Sequence, residues 1–353
     1  MLACEVAYTL YRTPTKIARI RSAEYTSNPR LFSDEALSVD VWISPEQLVT
    51  EYVERLIRYP GALQVLTFAA GRLRLVGVRA GGSAPLVGHP IRMLRDHLPD
   101  VEVRVVAVYR DGRSLEPGAE LVLKEDDEVF FLAERDQVRR VMSELRKEDN
   151  PAKRVVIAGG GSIGFRLARM LEKTHHVKVI ERDPKRARHI SEVLEHAIVL
   201  HGDAADEELL IEENIDSADV FAALTNSEEA NILSAMLAKR LGAAKVMALI
   251  NKPSYAELME SGSIDVAISP QSVTIGSLLA HVRRGDIVRV HSLKHGAAEA
   301  MEAIAHSEGG RSRVVGVAVG EIALPDGARI GAIVRDQKVI MTQDNTVVEE
   351  GDH

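Results

Sequence analysis

The strongest constraint on the fold is an alternation of short apolar runs with segments of helical periodicity between residues 153 and 250. The apolar runs are RVVIAG, VKVIE, AIVLHGD, DVFAALT and KVMALIN, and each has the length of a buried strand. Because an amphipathic segment separates each run from the next, the pattern predicts an α/β fold with a doubly wound parallel sheet of five strands. Right-handed crossovers would place a ligand at the carboxyl ends of the strands.

A glycine-rich segment, AGGGSIGF at 158–165, follows the first predicted strand and opens the first predicted helix. Gly159 suits the tight turn, Gly161 lets the backbone approach a pyrophosphate, and Gly164 lets the helix pack closely on the sheet. The start of the helix offers free N–H groups to phosphates. The pattern predicts a Rossmann-type nucleotide site, with a purely structural glycine turn as the alternative. The predicted loop residues are Gly159, Gly160, Gly161, Ser162, Ile163 and Gly164.

An acidic residue stands where a dinucleotide site needs one. Glu181 ends the second predicted strand, 20 residues beyond Gly161, and its carboxylate could accept hydrogen bonds from a ribose diol. The same charge would repel a 2′-phosphate, which favours NAD over NADP, although the neighbouring Arg182 leaves that choice open. The alternative interpretation of Glu181 is a solvated charge at the end of a strand.

Two further strand ends carry polar residues on the same predicted rim. Asp203 follows the third strand and either borders the adenine or is a turn residue. Thr225 and Asn226 follow the fourth strand, and Glu229 lies three residues after Asn226, which is the spacing of a capping box variant. We therefore expect Thr225 and Asn226 to cap the next helix, to contact the nucleotide, or to do both.

The chain also contains an internal repeat. VDVWISPE at 39–46 returns as IDVAISPQ at 264–271, and at the same 225-residue offset VVAVYRDG at 105–112 falls on IGAIVRDQ at 330–337. Each Ile-Ser-Pro segment predicts the start of a longer helix, at 46–59 and at 271–284. A β-rich stretch with many Gly and Pro residues follows each helix and predicts a small α+β lobe.

The repeat predicts four regions joined by a polar linker at 143–153. These are 1–62, the tail of a first nucleotide-binding lobe with its crossover helix; 63–148, the first β-rich lobe; 152–286, a complete second nucleotide-binding lobe with its crossover helix; and 287–353, the second β-rich lobe. The second copy has residues 151–231 ahead of the point that matches Met1, and the first copy continues beyond the point that matches His353. We therefore expect the chain to be a fragment truncated at both ends.

Composition excludes several classes of function. The net charge of −8, from 44 basic and 52 acidic residues, argues against non-specific nucleic-acid binding. A lone cysteine, Cys4, excludes an internal disulfide framework, and no CxxC or HExxH spacing offers a metal site. No apolar run approaches the roughly 18 residues that cross a bilayer. These features predict a soluble acidic protein.

The remaining charged or titratable clusters receive structural interpretations. KEDDE at 124–128 is interpreted as a solvated turn before a strand. His175 and His176 are expected to be exposed, and the histidines of the second crossover and its following strand are expected to be solvated or in the core. The latter are His281, His291 and His295. No GxSxG motif, Cys/His pair or carboxylate dyad suggests catalysis.

Several motifs together resemble the RCK domains that regulate potassium channels and transporters, and more narrowly the TrkA family of bacterial potassium-uptake systems. They are MLACEVAY, TKIARIRS, RYPGALQV, AGGGSIG, VIERD, TNSEEANILSAMLAKRLGA, DVAISPQ and SLLAHVRRGDIV. The resemblance implies tandem RCK domains that bind NAD or NADH, with ATP or ADP possible at the same site. It also implies a homo-oligomer, a tetrameric ring, held at the cytoplasmic face of the membrane by a Trk-family transporter subunit.

Carried onto this chain, the resemblance assigns Glu181, Asp203, Thr225, Asn226 and the glycine loop to the second nucleotide site. It assigns Arg19 to the first site, which is incomplete because no glycine loop precedes it. Three functions compete: a regulatory subunit that gates potassium transport through nucleotide-dependent rearrangement, an NAD-dependent oxidoreductase, and a scaffold without a ligand. The first is preferred, because a hydride-transfer enzyme needs a proton-carrying residue beside its cofactor and the β-rich lobes offer no such constellation.

Overall fold

The computed structural model describes residues 1–21, 25, 28–33, 36–147, 151–252, 255, 262–282, 286–307 and 312–353. The chain divides into two compact units. The first unit contains Met1–Glu54 and Lys153–Leu278, and the second contains Arg55–Ala152 and Leu279–His353. No helix in these described ranges is both long and apolar enough to cross a membrane.

The N-terminal part of the first unit is a helix, two short parallel strands and most of a second helix, whose last residues belong to the second unit. These elements are α1 (Leu2–Tyr11), β1 (Ile17–Arg19), β2 (Val41–Ile43) and α2 (Pro45–Arg58). β1 and β2 pair in parallel, with Arg19 opposite Ile43. Helix α2 begins at the proline of the first Ile-Ser-Pro segment, where the missing N–H of proline costs little. One face of α1 exposes apolar side chains, including Leu2 at 79% and Leu10 at 69%.

The first β-rich stretch forms a five-stranded antiparallel sheet in the order β3-β4-β7-β5-β6. Its elements are β3 (Ala62–Phe68), β4 (Leu73–Arg79), α3 (Met93–His97), β5 (Val103–Arg110), β6 (Arg113–Leu115), β7 (Glu128–Glu134) and α4 (Val138–Leu145). The central strands β4 and β7 are almost wholly buried. Beyond α4, residues 148–150 of the predicted linker lie outside the described residues.

Residues 154–268 form a six-stranded parallel sheet in the order β10-β9-β8-β11-β12-β13. Its elements are β8 (Arg154–Ala158), α5 (Ser162–Leu171), β9 (His176–Glu181), α6 (Pro184–Val193), β10 (Ile198–His201), α7 (Glu207–Glu212), β11 (Val220–Ala223), α8 (Glu228–Arg240), β12 (Lys245–Leu249) and β13 (Val266–Ile268). The parallel α/β sheet is confirmed, but the prediction of five strands is wrong. The missed strand, β13, has three residues and comes from the second Ile-Ser-Pro segment.

The remaining elements are a helix and two antiparallel hairpins. They are α9 (Pro270–Val282), β14 (Ile287–Leu293), β15 (Ala298–Ala303), β16 (Ala332–Arg335) and β17 (Lys338–Met341). Helix α9 begins at the second Ile-Ser-Pro proline, and residues 283 and 284 of the predicted crossover helix lie outside the described residues. His281 is exposed, whereas His291 packs edge-on against Phe68 with 5.2 Å between ring centroids. The side chain of His295 lies outside the described residues.

The interpretation of KEDDE as a wholly solvated turn is wrong for its fourth residue. Asp127 is buried, and its carboxylate accepts hydrogen bonds from Arg110 Nε at 2.7 Å, from Arg110 Nη2 at 2.8 Å and from the Lys124 N–H at 2.8 Å. An ion pair therefore connects strand β5 to the turn before β7 at this end of the sheet. Because its arginine partner lies 17 residues upstream, the local run of charges does not reveal the burial.

The same arrangement occurs 225 positions later. Arg335 donates to Asp352 from Nε at 2.8 Å and from Nη2 at 2.7 Å, and the Glu349 N–H donates to the same carboxylate at 2.8 Å. Asp352 is also buried. Burial alone would raise the pKa of the Asp352 carboxyl, but the bonds from Arg335 and the Glu349 N–H outweigh burial and hold that pKa below its usual value.

Candidate functional site

The loop that joins β8 to α5 has a backbone that only glycine accommodates at two positions. Gly159 has a φ of +101°, and a Cβ there would lie 2.9 Å from Thr225 Cγ2. A Cβ on Gly164, in the first turn of α5, would lie 2.0 Å from the Gly159 carbonyl oxygen. These two glycines therefore fix the turn and the close approach of helix to loop that the sequence predicts.

Gly161 is required by neither strain nor internal packing. It is the N-terminal cap of α5 with a φ of −65°, and a Cβ there would meet nothing within 4 Å. No described side chain caps this end of the helix and its first turn carries no acidic residue, so the positive end of the helix dipole is not neutralised there. Ser162 is exposed and Ile163 is half-buried beside it. This is the arrangement of an anion site.

Glu181 lies beside the loop and already bonds to it. Its Oε2 accepts the Gly160 N–H at 2.7 Å, and its Oε1 accepts the Asp183 N–H at 2.8 Å. Arg186 holds the other backbone group of the same residue, because its Nε donates to the Gly160 carbonyl at 2.8 Å. Its guanidinium lies 5.3 Å from the centre of the Phe165 ring. Arg186 was not predicted from the sequence, although its place in the first turn of the next helix is a usable signal.

Thr225 lies on the opposite side of the loop, at the end of β11. A buried residue that was not predicted from the sequence, Asn231, holds it: Asn231 Oδ1 accepts from Thr225 N at 2.8 Å and from Thr225 Oγ1 at 2.7 Å. Asn231 Nδ2 donates to the carbonyls of Thr225 at 3.1 Å and Leu249 at 2.9 Å. One amide side chain of α8 thus ties together the ends of β11 and β12.

The cap of α8 differs from the predicted one. The capping residue is Ser227, whose hydroxyl accepts the Ala230 N–H at 3.2 Å, and not Asn226. Asn226 is exposed at the rim instead. The turn contains two candidate caps in a row, and the spacing to Glu229 alone does not choose between them.

Asp203 lies beyond β10 at the edge of the same rim. It is exposed, and its Oδ1 accepts the Ala205 N–H at 2.9 Å, so its turn role is present in the structure. Strand register aligns the rim: Glu181 pairs with His201, and Ala158 pairs with both Ile180 and Ala223. The residues that follow these strands are therefore brought to one edge of the sheet, around the glycine loop.

Arg19 ends β1 and is exposed. Its Nη2 lies 3.8 Å from Glu46 Oε1, and Arg21 Nε lies 3.4 Å from the same oxygen. The described contacts of Arg19 therefore lie with the start of α2, and its predicted nucleotide role stays a prediction.

Comparison with known proteins decides the family. The TrkA-N domain family matches residues 155–270, and the TrkA-C domain family matches residues 75–146 and 311–353. The Trk system potassium uptake protein TrkA of Halomonas elongata is 55% identical over 353 residues, which are the whole of this chain and 77% of that protein, and the same protein of Vibrio alginolyticus is 54% identical. The chain belongs to the TrkA family.

Membership of the TrkA family confirms a role in potassium uptake as a regulatory protein and not as an enzyme. The structure of the GsuK RCK domain has the same fold, with a TM-score of 0.57 and 20% identity over 99% of this chain and 73% of that one. The GsuK channel bound to NAD gives a TM-score of 0.56 over 99% of this chain. The TrkA-N match contains the glycine loop, Glu181, Asp203, Thr225 and Asn226, whereas Arg19 lies outside it.

Proposed function

We propose that this TrkA-family chain senses a nucleotide, NAD or NADH, at the loop from Gly159 to Gly164 and passes the binding event to a potassium transporter. The observation that carries the proposal is the start of α5 at Gly161, where no described side chain caps the helix and a Cβ would meet nothing within 4 Å. A pyrophosphate is the group that such a start binds best in this fold.

The rim supplies the other contacts of the proposed site. Glu181 would accept hydrogen bonds from the hydroxyls of one ribose, and Asp203 would border the adenine. Thr225 and Asn226 would face the other half of the ligand. The GsuK channel binds NAD, and the fold that it shares with this chain supports the same ligand class here. ATP or ADP could enter the same loop, because each carries the adenosine and phosphates that the loop and Glu181 would bind.

Nucleotide binding would act on the glycine loop through Glu181, which already forms hydrogen bonds within the protein. Glu181 spends both carboxylate oxygens on N–H groups of its own chain, at Gly160 and Asp183. Each of these oxygens keeps a second lone pair, so a ribose hydroxyl can bond to Glu181 while the N–H bonds that hold the glycine loop remain. Regulation requires that the nucleotide bind one arrangement of the protein better than another, and a difference of about 1–3 kcal/mol would change the populations roughly 5- to 150-fold.

We further propose that the chain is a tandem repeat of about 225 residues, divided at the regions 1–62, 63–148, 152–286 and 287–353. The paired ions Arg110–Asp127 and Arg335–Asp352 support this division, as does the match of the TrkA-C family to two stretches. The first nucleotide site would then consist of Arg19 without a glycine loop, and one nucleotide would bind per chain. The protein would act as a homo-oligomeric ring at the cytoplasmic face of the membrane, on a Trk transporter subunit.

Calorimetric titration with NADH tests the binding proposal, with Gly161→Val as the variant. A Cβ at this position meets no atom of a more distant residue within 4 Å, so the variant should fold and should lose NADH by blocking the phosphates. Gly118→Val, at a glycine outside the proposed nucleotide-binding lobe where a Cβ also meets nothing within 4 Å, controls for a general cost of replacing glycine. Unchanged NADH affinity in Gly161→Val, or two equivalent tight sites in the wild type, would contradict the proposal.

A further inference from the structure

The orientation of the Asn231 side-chain amide is determined by its partners. The Thr225 N–H needs an acceptor, and the carbonyls of Thr225 and Leu249 need donors, so Oδ1 must face the first and Nδ2 the other two. Asn231 is 1% exposed, which leaves it no solvent alternative. The atom that faces the Thr225 hydroxyl at 2.7 Å is therefore an acceptor.

This orientation fixes what Thr225 can offer to a ligand. The hydroxyl has one proton, and the two nearest acceptors for it are Asn231 Oδ1 at 2.7 Å and the Ser227 carbonyl at 3.1 Å. The Ser227 N–H donates to Thr225 Oγ1 at 3.2 Å and occupies one of its two lone pairs. What remains free on Oγ1 is a single acceptor lone pair. With its proton held by Asn231 Oδ1, Thr225 receives a hydrogen bond from a ligand and does not give one.

The surrounding groups reinforce this acceptor character. Two N–H groups of the turn, of Thr225 and Ser227, are taken up inside the protein, so neither is available to a phosphate. The first turn of α8 carries Glu228 and Glu229, whose charges disfavour an additional anion nearby. By contrast, the start of α5 across the loop has N–H donors and no acidic residue in its first turn. The two sides of the glycine loop therefore suit different chemical groups.

The strand order places these sides in relation to the ligand. β9, with Glu181, and β11, with Thr225, lie on opposite sides of β8. A nucleotide with one ribose on Glu181 and its phosphates at the glycine loop can extend only its second half toward Thr225. A dinucleotide brings a neutral, hydroxyl-bearing ribose to that side, whereas ATP can bring only another phosphate, which is mainly an acceptor and carries negative charge.

We propose that Thr225, positioned by Asn231, is a specificity determinant that selects dinucleotides over ATP. The inference rests on the proposed nucleotide site and adds the ligand class that this site prefers. Thr225 contacts the ligand as an acceptor, and Asn231 acts through Thr225 as a positioning residue.

The test is calorimetric titration of the full chain with ADP-ribose, ADP and ATP in the absence of Mg²⁺, for the wild type, Thr225→Val and Thr225→Ser. The wild type should bind ADP-ribose at least about tenfold more tightly than ATP, and Thr225→Val should lose about tenfold in ADP-ribose affinity, the usual effect of one hydrogen bond. ATP affinity should stay within about twofold, because ATP does not use this hydroxyl. Thr225→Ser keeps the hydroxyl and should restore ADP-ribose binding. Thr174→Val, at an exposed threonine that bonds Leu171 O, is the matched control.

The outcomes separate this inference from the binding proposal. If the wild type binds none of the three nucleotides, the proposed site itself fails. If the wild type binds ATP as tightly as ADP-ribose, or if Thr225→Val weakens all three ligands equally, nucleotide binding stands but the specificity role of Thr225 is wrong. Loss of ADP-ribose affinity in Thr225→Ser as large as in Thr225→Val would show a packing role for the residue instead.

Discussion

Replacing Asp352 by Asn should destabilise the end of the second β-rich lobe that its ion pair with Arg335 holds together. The carboxylate is buried and accepts three hydrogen bonds, two of them from the guanidinium of Arg335. Breaking a buried ion pair by removing one charge typically costs about 3–5 kcal/mol. Arg335 keeps its contacts with Glu349 and the Val347 carbonyl, so we expect the lower end, about 3 kcal/mol. Asp127→Asn should cost a similar amount in the first lobe, because Arg110 and Lys124 provide the same three bonds.

Amide hydrogen exchange measures this effect locally, which avoids fitting a two-unit chain to a single unfolding transition. A cost of about 3 kcal/mol corresponds to exchange roughly 100-fold faster in the lobe that carries the mutation, with little change at residues 154–249. Asp100→Asn is the matched control, because Asp100 is 73% exposed and lies 3.3 Å from Arg140 in a surface pair worth at most about 1 kcal/mol. Less than threefold faster exchange in both buried variants would refute the reasoning.

Three further predictions concern backbone, pH and charge. Gly164→Ala should lower the thermal denaturation midpoint of the first unit, because its Cβ would lie 2.0 Å from the Gly159 carbonyl oxygen. Gly161→Ala should denature at nearly the wild-type temperature, and equal midpoints for the two variants would contradict this. Burial lowers the pKa of His291 from 6.5 to about 4, so as the pH falls His291 is protonated in the unfolded chain before it is protonated in the folded one. The free energy of unfolding should therefore fall by about 3 kcal/mol between pH 6.5 and pH 4. Denaturant titrations at several pH values measure the free energy of unfolding, and in His291→Gln it should fall less between pH 6.5 and pH 4. If it falls as much as in the wild type, His291 is not the cause. Glu229→Gln should raise ATP affinity about two- to fivefold at low salt by removing a charge from the first turn of α8, and calorimetry showing no gain would remove the charge argument.

The sequence was sufficient to predict the parallel sheet, the glycine loop and Glu181 at its rim. These features follow from local sequence signals. A buried strand appears in the sequence as a run of apolar residues, and the tight turn of a Rossmann-type loop requires glycine at set positions. The structure shows why Gly159 and Gly164 had to be glycine and why Gly161 did not, since only the first two meet other atoms of the protein.

Residues whose roles depend on distant partners could not be predicted in this way. Asn231 is a polar residue within a helix, and nothing in its neighbours shows that it is buried against two strand ends. Asp127 belongs to a run of charges that is typical of a solvated turn, and only the fold brings Arg110 to it. Strand β13 has three residues, too few for periodicity to distinguish it from a loop.

The central claim is that a nucleotide at the glycine loop regulates potassium uptake. The most direct test measures potassium flux through the partner transporter in vesicles, with the wild-type subunit or with Gly161→Val, before and after NADH is added. The account predicts that NADH changes the flux with the wild type and has no effect with Gly161→Val, while both subunits associate equally with the transporter. An equal response of the two subunits to NADH, or no response of the wild type while it binds NADH, would contradict it.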